Sequence, residues 1–64
     1  MITTKQKRDE ILREIGVRER FYPGWVQAGK LSAHTAELRI AILRSLLLDL
    51  EAKLEDEKEP TLFD

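Results

Sequence analysis

Several residue types that commonly stabilise or activate small proteins are missing or rare in this chain. Its 64 residues include no cysteine and only one histidine. Without thiolates, neither a disulfide framework nor a thiolate metal site can hold the fold together. The single histidine, His34, has no second histidine with which to form a metal site or a catalytic pair. We therefore expect packing alone to stabilise the protein, and we expect no metal, no cofactor and no enzymatic activity.

Long apolar runs are absent as well. Runs such as Leu46-Leu47-Leu48 are far shorter than the roughly 20 residues that a membrane-spanning helix needs. The N-terminal residues lack the apolar core of a secretory signal. The three glycines are wrongly spaced for a loop that binds phosphates. These absences predict a cytoplasmic protein that contacts no membrane.

Charged residues are plentiful, but the two signs are unevenly distributed. Residues 1–48 carry nine Lys or Arg against five Asp or Glu, whereas residues 49–64 carry two against seven. The C-terminal carboxylates form a run of the kind that usually faces solvent. The positive excess of the first segment is weak beside the basic stripe of most nucleic-acid binders. Nucleic acid is therefore not the favoured partner.

The strongest pattern is an apolar stripe in which residues recur at alternating steps of four and three. Its members are Ala36, Ile40, Leu43, Leu47, Leu50 and Leu54. This spacing is typical of a coiled-coil helix that packs against another helix. Ser32 is a good N-cap, and no Gly or Pro interrupts the residues that follow. The sequence therefore predicts a helix over about 33–58.

A shorter helix is predicted before it. Thr3 and Gln6 form a capping-box pattern, which predicts a first helix over about 4–21. Gly16 lies inside this helix, where a glycine costs stability unless another backbone approaches closely. We expect such a close contact at Gly16.

The segment between the two helices combines aromatic residues with helix-breaking ones. Pro23 disfavours helix at the residue before it, so we expect a separate helical turn at about 23–28. Gly29 suits a left-handed stop. Three aromatic residues fall in this part of the chain, and we expect them mainly to close the end of the helix pair: Phe21, Tyr22 and Trp25.

These elements predict an all-α helical hairpin with a short connecting helical turn. Residues 1–58 would form a single domain and 59–64 a flexible tail. With the first helix about two turns shorter than the second, Ile15 would lie level with Ile40. Leu50 and Leu54 would then stay uncovered.

The second helix is also apolar beyond its main stripe, because Leu38, Ile42, Leu46 and Leu48 widen it. One partner helix cannot cover a stripe of that width. A homodimer, in which two hairpins form a four-helix bundle, would cover both the width and the overhang. The predicted dimer interface consists of Ile40, Leu43, Leu46, Leu47, Leu50 and Leu54.

Two further features are candidates for binding another protein. The first is the aromatic corner with Tyr22, Trp25 and nearby Lys30, since Trp and Tyr carry much of the energy at interfaces. The second is the C-terminal tail, which resembles a degenerate form of the short peptides by which bacterial proteins bind the replication sliding clamp. Leu62 and Phe63 match the apolar pair of such peptides.

The segment Arg20–Ser32, followed by Ala36 and Arg39-Ile40-Ala41, resembles small phage- and prophage-encoded proteins. These share a Tyr-Pro, Trp-Val, Gly-Lys-Leu pattern before a long helix, and the similar region covers about residues 10–54. The resemblance implies a bacterial or phage origin, so that the expected partner is an unknown host or phage protein. It transfers no catalytic residue.

We expect a non-enzymatic accessory protein that dimerises through its second helix and acts by protein–protein interaction. The alternative is a small nucleic-acid-binding factor. Its contacts would come from Lys5, Lys7, Arg8, Arg13 and the Trp25 corner.

Overall fold

The computed structural model describes residues 1–58, in which two long helices pack against each other: α1, Thr4–Gln27, and α2, Ala33–Lys58. Among these residues there is no strand. The helices run antiparallel, because the start of α1 contacts the end of α2. The fold is thus the all-α helical hairpin that the sequence predicts. The predicted flexible tail, 59–64, lies outside the described residues.

The start of α1 follows its sequence pattern. The Gln6 N–H donates to Oγ1 of Thr3 at 3.1 Å, and the Thr3 N–H donates to Oε1 of Gln6 at 2.8 Å. These two bonds form a complete capping box and satisfy amide groups that the first turn would otherwise leave without partners. The predicted capping box is confirmed.

The end of α1 differs from the prediction. The helix does not stop near residue 21 but continues through Pro23 to Gln27, so the separate turn at 23–28 is part of α1. Proline lacks the N–H that would bond to the Glu19 carbonyl, yet its fixed φ is compatible with a helix. Tyr22, directly before it, is only 4% exposed. Packing of the last turns on α2 outweighs the local preference of a residue that precedes proline.

Gly29 ends α1 in the left-handed conformation, with φ at +76°. The Lys30 N–H donates to the Trp25 carbonyl at 2.9 Å, and the Gly29 N–H donates to the Val26 carbonyl at 3.1 Å. This pair of bonds is a Schellman motif, in which a residue with positive φ satisfies the last carbonyls of a helix. The predicted left-handed stop is confirmed.

Ser32 caps the start of α2. Its Oγ accepts a hydrogen bond from the Thr35 N–H at 3.0 Å, and its carbonyl accepts the first bond of the helix, from the Ala36 N–H, at 3.0 Å. Such a cap stabilises a helix by about 1 kcal/mol. Together with the Schellman motif it fixes both sides of a short connection between the helices.

The two helices have nearly equal lengths, 24 and 26 residues. At the open end, the Thr4 hydroxyl donates to a Glu57 carboxylate oxygen at 2.8 Å. Near the middle, Arg44 pairs with Glu19.

These contacts correct the expected register by about two helical turns, because they place Ile15 near the level of Leu47 and not of Ile40. Leu50 and Leu54 are half-buried, so the expected overhang is absent from the described part of the chain. The cause is the continuation of α1 beyond residue 21.

The core between the helices is thin. Ile15 and Tyr22 on α1 are 4% exposed, and Ala36 on α2 is 7% exposed. The other members of the main stripe are half-buried: Ile40, Leu43, Leu47, Leu50 and Leu54. Each helix is therefore covered by its neighbour on one side only.

Gly16 does not contact a neighbouring backbone. A Cβ added at this position would meet nothing within 4 Å, and the residue is exposed. The expectation of a close approach at Gly16 is wrong, because the glycine lies off the side of α1 that faces α2.

Neither helix of the described region combines the length and the apolar character that crossing a membrane requires.

Candidate interaction surface

The outer side of α1 carries a row of exposed apolar side chains. Val17, Phe21 and Trp25 are 36%, 49% and 46% exposed. Because they are spaced by four residues, they lie on one side of the helix. The rings of Phe21 and Trp25 stack with their centroids 6.4 Å apart. The three side chains therefore form a continuous ridge, which we call the aromatic ridge.

A similar ridge lies on α2. Leu38, Ile42 and Leu46 are 50%, 50% and 45% exposed. Their spacing of four places them on one side of α2 as well. They lie outside the stripe that packs on α1, which is why the neighbouring helix leaves them uncovered.

The first ridge borders a shallow groove between the helices, and the second ridge lies beyond that groove. The groove is lined by Arg39 of α2 and by these residues of α1: Glu14, Val17, Arg18, Phe21, Tyr22 and Trp25. Arg39 shares one side of α2 with Ile42 and Leu46, three and seven residues further on. We call the two ridges together the apolar face. It consists of Val17, Phe21, Trp25, Leu38, Ile42 and Leu46.

The apolar face is large for so small a protein. Large side chains that are about half exposed leave on the order of 80–100 Å² each. Six of them together give roughly 500 Å², which is within the range of the largest patch on a typical monomer, a patch that is often functional. Charged side chains line the groove between the ridges, so the six residues form two neighbouring apolar rows. Scattered single apolar residues need no explanation, but two such rows on one side of the hairpin do.

The opposite side of the hairpin is mixed in character. It carries the ion pair between Glu19 and Arg44, and an open groove near the chain ends is lined mostly by charged residues. Near the loop, a second groove on this side is lined mainly by apolar side chains. Leu12 and Leu48 are also exposed there, at 51% and 66%.

The groove beside the apolar face contains a local polar network. An Arg18 Nη1 N–H donates to the Tyr22 hydroxyl at 3.2 Å, and Arg18 also pairs with Glu14 at 3.7 Å. The guanidinium of Arg20 lies 5.9 Å from the centre of the Phe21 ring. These contacts fix the sides of the ridge on α1.

The pKa shifts of the molecule occur elsewhere, on the first turns of α1. Hydrogen bonds from Arg8 and Lys5 lower the pKa of Asp9. The hydrogen bond between Arg13 and Glu10 lowers the pKa of Glu10 and raises that of Arg13. All of these groups are at the surface, so the shifts reflect ion pairs along one helix. They do not indicate a reactive centre.

The residues predicted for the dimer interface lie on two different surfaces of the hairpin. Ile40, Leu43, Leu47, Leu50 and Leu54 lie half-buried in the seam with α1, and Leu46 lies on the apolar face.

The predicted partner-binding residues are also separated. Tyr22 is buried inside the hairpin and presents no surface, while Trp25 and Lys30 are exposed. Leu62 and Phe63 lie outside the described residues. The expectation that the aromatic residues close the end of the helix pair holds for Tyr22 but not for Phe21 or Trp25.

Sequence reasoning missed Val17 and Phe21 as surface candidates. The available signal was their spacing of four from Trp25, which becomes meaningful only if α1 continues through Pro23.

Within residues 1–58, no group of three or more His, Cys, Asp or Glu side chains lies where it could hold a metal ion. Comparisons of the chain with protein-family models, with curated protein sequences and with solved structures find no significant match. The functional argument therefore depends on the apolar face.

Proposed function

We propose that this chain is a cytoplasmic, non-enzymatic accessory protein of phage or prophage origin that acts by protein–protein interaction as a homodimer. The observation that carries the proposal is the apolar face, with six large side chains that are 36–50% exposed on one side of the hairpin. The Tyr-Pro, Trp-Val, Gly-Lys-Leu pattern supports the proposed origin.

The area of the apolar face is compatible with a dimer interface. Two copies that bury roughly 500 Å² each would bury about 1,000 Å² in total, the lower limit for a specific interface. Buried area does not convert directly into affinity, because association also costs translational and rotational freedom and the ordering of side chains. The hairpin by itself buries only three side chains almost completely, so it gains much from a partner.

Sedimentation equilibrium at micromolar concentration tests the dimer. We expect a mass twice the 7.5 kDa of the chain. Replacement of Ile42 by Glu places an unpaired charge in the interface, and this variant is expected to sediment as a monomer. Leu48→Glu is the matched control, because Leu48 is an exposed aliphatic residue outside the apolar face. A wild-type chain that remains monomeric throughout would contradict the proposal.

The alternative function is binding to nucleic acid. An exposed Trp25 beside Arg18 and Arg39 favours it, since aromatic rings stack on bases and guanidinium groups contact phosphates. The basic residues of the first turns favour it less: Lys5 and Arg8 pair with Asp9, and Arg13 pairs with Glu10. These carboxylates neutralise part of the positive charge.

Salt dependence separates the two functions. In a gel-shift assay with short DNA and RNA at low salt, we expect no shifted band. Affinity that falls steeply as salt rises would favour the nucleic-acid function, because phosphate contacts release counterions. An interface made mainly of apolar side chains changes little with salt.

A further inference from the structure

We infer that the two copies of the proposed dimer lie with their loops at the same end, so that α1 of each copy packs on α2 of the other. This inference rests on the proposed function, since it assigns the occupant of the apolar face and its orientation. The occupant is a second copy of this chain. The argument comes from the exposed residues that continue the two ridges toward the open end of the hairpin.

Each ridge belongs to a longer row of residues with steps of three and four, which we call the outer stripe of its helix. The outer stripe of α1 consists of Lys7, Glu10, Glu14, Val17, Phe21, Trp25 and Ala28. The outer stripe of α2 consists of Thr35, Leu38, Ile42, Leu46, Asp49, Lys53 and Asp56. All of these residues are exposed or half-buried in the hairpin.

The antiparallel register sets which residues of the two stripes share a level along the hairpin. With Glu19 opposite Arg44, each step forward on α1 corresponds to one step back on α2. In the half of the hairpin near the loop, apolar residues share levels with apolar residues. Val17 lies level with Leu46, Phe21 with Ile42, and Trp25 with Leu38.

In the half near the chain ends, the register places opposite charges at similar levels. Counted from Glu19 and Arg44, Glu10 lies level with Lys53, and Lys7 lies level with Asp56. The contact between Thr4 and Glu57 shifts this alignment by two residues, or about 3 Å along the helix axis. Among residues 1–57, whose side chains the structure describes, neither Lys53 nor Asp56 takes part in an ion pair, and Glu10 pairs with Arg13. The outer stripes are therefore complementary in charge without contacting each other within one hairpin.

The direction of the two-fold axis decides whether the complementary residues of the two copies meet. A two-fold axis along the hairpin keeps every level unchanged and places the outer stripe of α1 over that of α2 in the other copy. The apolar ridges then meet at three levels, and opposite charges meet at two. A two-fold axis across the hairpin reverses the levels, so that full overlap would place the apolar ridges against the charged half of the partner. The pattern of residues favours loops at the same end.

One level brings like charges together. Glu14 shares a level with Asp49, and two such pairs would occur in the dimer. Glu14 lies near Arg18, at 3.7 Å, which offsets part of the repulsion. This mismatch provides a test in which a substitution strengthens association, a result that simple misfolding cannot produce.

The first experiment replaces Asp49 by Lys and measures the dimer dissociation constant by sedimentation equilibrium. We expect binding to tighten by about three- to tenfold, because repulsion at two symmetric sites becomes attraction. Glu55→Lys is the control, since it makes the same charge change outside the outer stripe and should leave the constant nearly unchanged. An unchanged or larger constant for Asp49→Lys would overturn the orientation.

The second experiment measures the distance between the loops directly. The chain has no cysteine, so Lys30→Cys allows a single nitroxide label on the exposed connection. With loops at the same end, and helix axes 8–10 Å apart, pulsed electron spin resonance is expected to give about 10–25 Å between labels. With full overlap and loops at opposite ends, the distance would be about 35 Å.

The two failures are distinguishable. A dimeric mass with the long distance would overturn the orientation and leave the homodimer standing. A monomeric mass at every concentration would overturn the proposed function itself, and the orientation with it.

Discussion

At the residue scale, Gly16 and Gly29 differ in backbone conformation and therefore in what an alanine would do. Gly29 has a positive φ, which L-residues adopt at a cost of about 1–2 kcal/mol. Gly16 lies within α1, and a Cβ there would meet nothing within 4 Å. The sequence indicates the role of Gly29 because the chain's helical pattern stops there. It does not indicate the open space beside Gly16, since that depends on which side of α1 faces α2.

Alanine substitutions at these glycines are expected to have opposite effects on the free energy of unfolding. Gly29→Ala should lower it by about 1 kcal/mol through backbone strain. Gly16→Ala should raise it by about 0.5–1 kcal/mol, because alanine loses less backbone entropy in a helix. Urea unfolding followed by circular dichroism at one fixed protein concentration measures both. Equal signs would contradict this assignment of the two conformations.

Also at the residue scale, the ion pairs of the first turns predict a mild dependence of stability on pH. The pKa values of Asp9 and Glu10 are lowered from 3.8 and 4.5 by hydrogen bonds from neighbouring cations. A carboxyl whose pKa is lowered on folding stabilises the fold above its unfolded pKa. That contribution is lost as pH falls through its folded pKa.

We therefore expect the melting temperature to decrease slightly below about pH 4.5. The decrease should be smaller in an Asp9→Asn, Glu10→Gln variant. An equal decrease in both proteins would show that other carboxyl groups are responsible. Exposed pairs contribute little, so a large difference between the two proteins would also contradict the assignment.

At the element scale, α1 shows where local sequence preference and packing disagree. The capping box at Thr3 and the left-handed stop at Gly29 depend only on residues close in sequence, so both could be predicted from the local sequence. The continuation of α1 through Pro23 could not be predicted in this way. It depends on the burial of Tyr22 against α2, which no local pattern reports.

Pro23→Ala is expected to raise the free energy of unfolding by about 1–2 kcal/mol. Alanine restores the N–H that can donate to the Glu19 carbonyl, and it removes a residue that costs about 3 kcal/mol in a helix interior. Part of this gain is offset by the greater entropy of the unfolded chain. Thermal unfolding measures the change. A loss of stability would contradict this expectation. It would mean that the packing of the proline ring stabilises the fold by more than the missing hydrogen bond destabilises it.

At the scale of the whole molecule, the hairpin could be predicted but its register could not. The stripe from Ala36 to Leu54 required a second helix, and the structure supplies α1. The level at which Ile15 meets α2 depended on where α1 ends, and so the error at Pro23 moved the register by about two turns. It also hid the aromatic ridge, because Phe21 and Trp25 join one row only if α1 is continuous between them.

A thin core predicts that folding and association are coupled. With three nearly fully buried side chains, we expect the melting temperature to rise by several degrees between about 5 and 500 μM, because a dimer stabilises its folded subunits by mass action. Differential scanning calorimetry over this range measures the effect. A melting temperature independent of concentration would indicate that the isolated hairpin is stable by itself.

The position of Trp25 provides an optical readout of this coupling. It is the only tryptophan of the chain, and it is about half exposed in the aromatic ridge. An indole that leaves water emits at shorter wavelengths, so dilution of the wild-type chain should shift its emission to the red. Trp25 can thus serve as a built-in fluorescent reporter of the proposed association, and no dye is needed to follow it.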